Sequence, residues 1–255
     1  MHENEAVIGL SGSAPRADDG CRRPANLLAG ALLLGCGVFL GYEAITWPDV
    51  SLLARHDPQT FAALEIYAAG EQTAANGPPA RYHWVSYPRI SPHLKRAILV
   101  AEDINFFSHH GFDTAELQTA IKEAVEQRKS PRGASTLTQQ FTRQMWLNSN
   151  RSWFRKFKEM LLTIEVEHRL SKKRIFELYL NLAEFGPGTF GAEAAARYYF
   201  HRSAAELDET EGAELAAGLS RPQFWNPASS DPAYSARVRL ILRHMEKAQF
   251  LEKLI

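Results

Sequence analysis

The chain has 255 residues, 45% apolar and 23% charged, with 29 basic and 29 acidic side chains. This composition excludes a disordered chain and suits one large domain or two small ones. A formal net charge of zero excludes the global basic field of a nucleic-acid binder.

Residues 1–24 read as a short tail carrying Arg16, Arg22 and Arg23. They precede 25-ANLLAGALLLGCGVFLGYEAIT-46, in which Asn26 is the only strongly polar side chain before Tyr42. That run is near the short end of what a spanning helix needs. The arginines place the tail in the cytoplasm and the rest outside, with Tyr42 and Trp47 at the far interface. Gly41-Tyr42-Glu43-Ala44 is a poor signal-peptidase site, so an uncleaved single-pass anchor is expected. Cys21 and Cys36 are the only cysteines, and the chain beyond them has no disulfide or thiolate ligand.

Residues 47–80, with Pro48, Pro58 and Asn76-Gly77-Pro78-Pro79, read as a connecting segment, and 81–255 as the catalytic domain. Alternation in 81-RYHWVSY-87 predicts a short strand. Beyond it the pattern is helical. Ser91-Pro92 caps a helix with Leu94, Ala97, Ile98 and Ala101 on one face. Asp113 and Glu116 form a capping box ahead of Leu117, Ile121 and Val125. Ser135 is the expected cap of a helix carrying Leu137, Phe141 and Met145. Ser152 caps a long helix through Phe154, Phe157, Leu161 and Ile164. Ser171 precedes Ile175, Leu178, Tyr179 and Leu182 in a helix that stops by Gly186. Ser203 and Glu206 form a further box, and Asp231-Pro232 opens a last helix over 233–248. The expected architecture is mainly α.

Three features carry chemistry. Between Lys129 and Arg174 eleven cations face only Glu159, Glu165 and Glu167, which suits an anionic ligand such as pyrophosphate or a lipid headgroup. Arg151, Arg155 and Lys158 share one helical side or its entry, and Glu159 sits among them as an ionised carboxylate that holds cations or takes part in chemistry. Glu102, by contrast, ends a greasy helix in 101-AEDINFFSHHGFD-113, where desolvation raises its pKa and makes it a base. Two carboxylates tuned apart are what sugar transfer commonly needs. In 133-GASTLTQQ-140, small residues, hydroxyls and amides precede a helix and bring donors close to a phosphate or sugar. His109 and His110 lack partners at metal spacing, and no GxSxG, P-loop or GxGxxG occurs.

Together these residues resemble the peptidoglycan glycosyltransferases of family 51, over roughly residues 85–227. Glu102-Asp103-x-x-Phe106-x-x-His109-x-Gly111-x-Asp113 is similar to the family's first motif. Gly133-Ala134-Ser135-Thr136-x-Thr138-Gln139-Gln140 resembles the second and Arg155-Lys156-x-x-Glu159 the third. Lys173-Arg174-Ile175-x-Glu177-x-Tyr179-Leu180-Asn181 resembles the fourth. Phe185-Gly186 through Gly191-x-x-x-Ala195-Ala196-x-x-Tyr199-Phe200 resembles the fifth. The absence of a penicillin-binding extension after residue 255 points to the monofunctional type.

The resemblance implies a lysozyme-like helical fold with a membrane-dipping jaw near residues 114–132. It implies polymerisation of lipid II into β-1,4 glycan with release of undecaprenyl pyrophosphate, on the periplasmic side of the inner membrane. It makes Glu102 the catalytic base, Asp103 its support and Glu159 a donor-side carboxylate. Ser135, Thr136, Gln139, Gln140, Arg143, Arg151, Arg155 and Lys158 become substrate-binding positions. Two departures stand out: Arg143-Gln144 replaces the family's usual Lys-Asn, and Leu219-Ser220-Arg221-Pro222 lacks a proline. No cofactor is required on this reading, with Mg or Mn as an optional aid to the leaving group. The partners are lipid II, the nascent glycan and the membrane, with division or penicillin-binding proteins as further candidates; nucleic acid is not one. A glycan-cleaving enzyme would not need the cation cluster, and an idle scaffold would not need both acids.

Overall fold

The computed structural model describes residues 22–73, 78–115, 117–119, 122, 135–147 and 152–255. They form two compact units, divided between Pro48 and Asp49. The first holds helix α1 (Arg22–Ile45). At 1.5 Å per residue a helix of this length reaches roughly 36 Å. Leu33, Leu34, Val38, Leu40 and Ile45 all stand exposed on it. Among the described residues, no helix is long and apolar enough to cross a membrane.

The second unit starts at Asp49, so most of the segment read as a connector is packed inside it. Val50, Leu53 and Phe61 are buried, and α2 (Ala62–Thr73) follows them. Prolines and Gly70 made this stretch look like a linker. Its anchor is remote: Arg174 donates to the Leu53 and His56 carbonyls and pairs with Asp57.

The unit is mainly helical, with α3 (Pro92–Glu102), α4 (Leu137–Trp146), α5 (Trp153–Arg169) and α6 (Lys172–Leu182) carrying the motifs. Then come α7 (Ala192–Phe200), α8 (Glu209–Gly218) and α9 (Pro232–Lys247). Helix α3 packs on α8 and α9, while α4 packs on α5 and α6. Most expected caps hold: Ser91, Ser152, Ser171 and Asp231 each accept a backbone N–H of the first turn. The Ser203–Glu206 box is present too, but it caps a 3-10 turn, Ala204–Glu206.

Five expectations are corrected or limited. The strand over 81–87 is only β1 (Arg81–Tyr82), parallel to β3 (Thr189–Phe190), which pairs antiparallel with β2 (Glu184–Gly186). Beyond Tyr82 a side-chain amide takes over from a strand. The Val85 N–H donates to Asn181 Oδ1 (2.8 Å), and Asn181 Nδ2 donates to the Val85 carbonyl (2.9 Å). The cap of α4 is Thr136, not Ser135, because Thr136 and Gln139 close a reciprocal capping box. Helix α5 buries Glu159, Leu162, Thr163 and Val166, and turns Phe154, Phe157, Leu161 and Ile164 outward. Glu116, Ile121 and Val125 lie outside the described residues, although Leu117 N–H does bond the Asp113 carbonyl. Most of the jaw position, 114–132, lies outside them as well.

Candidate active site

The site is built where α3 ends against the start of α4. Glu102 is the last residue of α3, and its side chain is only 13% exposed. Gln140 Nε2 donates to Glu102 Oε2 at 3.0 Å, and Arg237 reaches Glu102 Oε1 from α9 at 3.3 Å. Gln140 is fixed in turn, accepting from the Tyr179 hydroxyl (3.1 Å) and donating to the Ser135 carbonyl (3.4 Å). Burial pushes the Glu102 carboxyl above its usual range, Asp103 adds to this, and Gln140 and Arg237 oppose it. The directional expectation for Glu102 is therefore met, by desolvation. Tyr179 is raised well above its ordinary value by burial and by the Glu102 charge, while Arg143 pulls it back. Arg143 thus acts electrostatically on the same cluster.

Asp103 faces inward and works differently. Both its oxygens lie 3.0 Å from His109 Nε2, and Oδ2 also accepts the Leu137 N–H at 2.9 Å. It therefore ties the turn after α3 to the first residue of α4. The Thr136 hydroxyl makes a second tie by donating to the Gly111 carbonyl at 2.7 Å. Gly111 has φ +87°, and a Cβ there would lie 3.0 Å from Thr163 Cγ2. The first and second motifs are thereby fastened to each other, and Gly111 brings the turn against α5.

Glu159 is completely buried and pairs with Arg155 (3.1 Å) and Lys156, both on its own helix. Arg155 belongs to the trio suggested by spacing, and Lys156 is a cation that the spacing did not suggest. Lys158 is half-buried on α5, and Arg151 lies outside the described residues. Ser135 contributes its carbonyl, and Thr136 and Gln139 are the cap of α4. Of the predicted substrate-binding positions among the described residues, Gln140 alone is hydrogen-bonded to Glu102, so the contacts bring Glu102, Gln140 and Ser135 together, with Arg143 in their field. Among the described residues, no group of three or more His, Cys, Asp or Glu side chains is placed to hold a metal.

The transglycosylase family model matches residues 70–246, well over half of the chain. The chain belongs to the transglycosylase family. It is 38% identical over 215 residues to a protein of Thiobacillus denitrificans, covering 84% of this chain and 90% of that one. It is 37% identical to one of Bordetella avium (91% and 97% covered) and 41% identical to one of Nitrosomonas eutropha (86% and 89%). All three are named biosynthetic peptidoglycan transglycosylases.

For this transglycosylase, sequence reasoning missed Arg237. A signal was present: Tyr234, Val238, Ile241 and Met245 are the buried face of α9, and Arg237 lies at its edge, one helical turn from Tyr234 and Ile241. A cation beside a core stripe needs a partner, and here that partner is Glu102.

Proposed function

We propose that this transglycosylase polymerises lipid II into β-1,4-linked glycan, releasing undecaprenyl pyrophosphate, in bacterial cell wall synthesis. The observation that carries this reading is Glu102, a desolvated carboxylate held between Gln140 and Arg237 at the mouth of the family's motifs. The acceptor's 4-hydroxyl gives its proton to Glu102 as its oxygen bonds the donor's anomeric carbon. The bond from that carbon to pyrophosphate breaks, and the electron pair leaves with the pyrophosphate. A carboxyl raised toward neutrality is poised for that transfer. Asp103 holds the α3–α4 junction in register for it. Arg237 Nε is buried with no hydrogen-bond partner among the described residues, and is a donor suited to an acceptor oxygen.

Arg143, Arg151, Arg155 and Lys158, with Lys156, supply positive charge for the donor's pyrophosphate. Ser135, Thr136, Gln139 and Gln140 shape the neighbouring sugar site, and Glu159 holds its two cations in place. These side chains neutralise the leaving group without an obligatory Mg or Mn ion. The mainly helical framework supports a lysozyme-like fold for the catalytic domain.

The enzyme works at the outer face of the inner membrane, anchored once. Support comes from the apolar run 25–42 behind Arg22-Arg23 and from α5. Trp153 is 93% exposed there, with Phe154, Phe157, Met160, Leu161 and Ile164 also exposed beside Arg155, Lys156 and Lys158. An apolar stripe edged by cations suits a lipid surface with anionic headgroups. Each such side chain gains roughly 1 kcal/mol on partial burial.

The test is a lipid II assay in detergent with wild type, Glu102→Gln and Glu159→Gln, with and without chelator. Glu102→Gln should lose at least about a thousandfold in rate, and chelator should change the wild-type rate by less than about twofold. A near-wild-type Glu102→Gln enzyme would be incompatible with the base assignment. Soluble fragments released from isolated cell wall would show cleavage in place of synthesis.

A further inference from the structure

A cleft of 530 Å³ opens elsewhere on the second unit and shares no residue with the Glu102 site. Pro187, Tyr198, Tyr199, Phe200, Glu214 and Pro227 are among its walls. Tyr198 and Tyr199 meet edge to face, with ring centroids 4.8 Å apart. Arg81 covers one face of Tyr198 at 4.1 Å, yet the residue is 45% exposed. The cleft is thus an aromatic and proline floor that is open to solvent.

Glu214 is its charged group, and it differs from the acids nearby. Glu211 pairs with Arg202, Glu193 with Arg197, and Glu184 accepts from Gln223. No cation pairs with Glu214 among the described residues. Partial burial holds its carboxyl above the ordinary range, and the charges of Glu211 and Asp208 add to that effect. An incoming cation offsets the repulsion from Glu211 and Asp208 and favours the ionised form of Glu214. Aromatic rings add cation–π attraction for the same group.

The floor selects the rest of the ligand. Grooves lined by aromatic side chains dock extended, proline-rich segments, because such segments are already ordered before binding. An anionic lipid headgroup would be repelled by Glu214. We propose that this cleft docks an extended, proline-rich segment of a partner protein, seating a lysine or arginine side chain against Glu214 and resting on Tyr198 and Tyr199. The enzyme would then be recruited through a face separate from the one that polymerises glycan.

The test is fluorescence anisotropy with the full chain in detergent. The probes are a labelled proline-rich decapeptide carrying two arginines and its twin with glutamines in their place. The arginine peptide should bind at least tenfold more tightly than the twin, and added salt should shrink the difference. Glu214→Gln should abolish the preference, and Tyr198→Ala should weaken both peptides. Both variants should retain lipid II polymerisation, and Glu214→Gln the wild-type melting temperature, while Tyr198→Ala still melts cooperatively a few degrees lower for its lost Arg81 and Tyr199 contacts; this separates a lost cleft from a lost fold. Equal binding of the two peptides overturns the proposal. So does a preference that survives Glu214→Gln, or no binding of the arginine peptide at millimolar concentration. Displacement of the peptide by a neutral chitin-type oligosaccharide assigns the cleft to sugar and overturns it as well.

Discussion

Arg237→Met tests the electrostatics of the base directly. Methionine keeps much of the arginine's apolar stem and removes one positive charge 3.3 Å from Glu102 Oε1. At that range, an effective dielectric of about 20 gives a ceiling of roughly 5 kcal/mol. The actual effect is smaller, because the same Arg237 nitrogen also faces the Ala101 carbonyl at 3.4 Å and the side chain is 29% exposed. About 1.4 kcal/mol, or one pKa unit, is the expected loss. The sign follows from the environment: burial and Asp103 raise the Glu102 pKa, and Gln140 and Arg237 lower it. Without Arg237 the pKa rises further. The acid limb of the rate–pH profile should therefore move to higher pH by about one unit. On that limb the rate falls about tenfold, and in alkaline buffer it recovers. Initial rates of lipid II polymerisation in detergent across the pH range provide the readout, with Arg237→Lys retaining most of the original profile. An unmoved limb, or a loss equal at every pH, would refute the electrostatic coupling.

Three other variants test the surrounding structure. Asp103→Asn weakens the bonds to His109 and to the Leu137 N–H, and should cost about 2–3 kcal/mol. That corresponds to a drop of roughly 5–10 °C in melting temperature, and an unchanged melt would contradict the tether. Glu102→Gln should not lower thermal stability at neutral pH. A carboxyl raised on folding stabilises only below its unfolded pKa, and that contribution is lost as pH rises through the folded value. A melting temperature several degrees lower would show that the charge is net stabilising. Paired Trp153→Ser and Phe157→Ser substitutions should reduce flotation with anionic vesicles while sparing the rate in detergent. Unchanged flotation would remove α5 from the membrane surface.

The cap residues were legible because their chemistry is local: Ser91, Ser152, Ser171 and Asp231 each bond within one turn. The environment of Glu102 was also legible, since the apolar run before it reports its own burial. What was not legible is long-range or directional. Periodicity places Phe154, Phe157, Leu161 and Ile164 on one side of a helix, but not on which side of the protein. The buried face of α5 is instead chosen by Glu159 and Thr163 packing inward. Arg237 meets a carboxylate 135 residues earlier in the chain, and no local pattern encodes that distance. The strand after Tyr82 was overestimated because its neighbour is the Asn181 amide, 96 residues away in sequence from Val85.

The same amide clasp has a consequence for biogenesis. Asn181 grips Val85, Glu177 accepts the Tyr87 N–H, and Arg174 holds Leu53, His56 and Asp57. Every one of these fasteners lies on α6, so none of these bonds can form until α6 has been synthesised. At ribosomal speeds of 5–20 residues per second, the gap from Val85 to Asn181 lasts roughly 5–20 s. A fragment that ends before α6 lacks all of these bonds, and a nascent chain stalled there is exposed to chaperones and proteases. The segment carrying Glu102 and Glu159 is thus a loop whose neck these bonds close, and the site still waits for α9 to deliver Arg237.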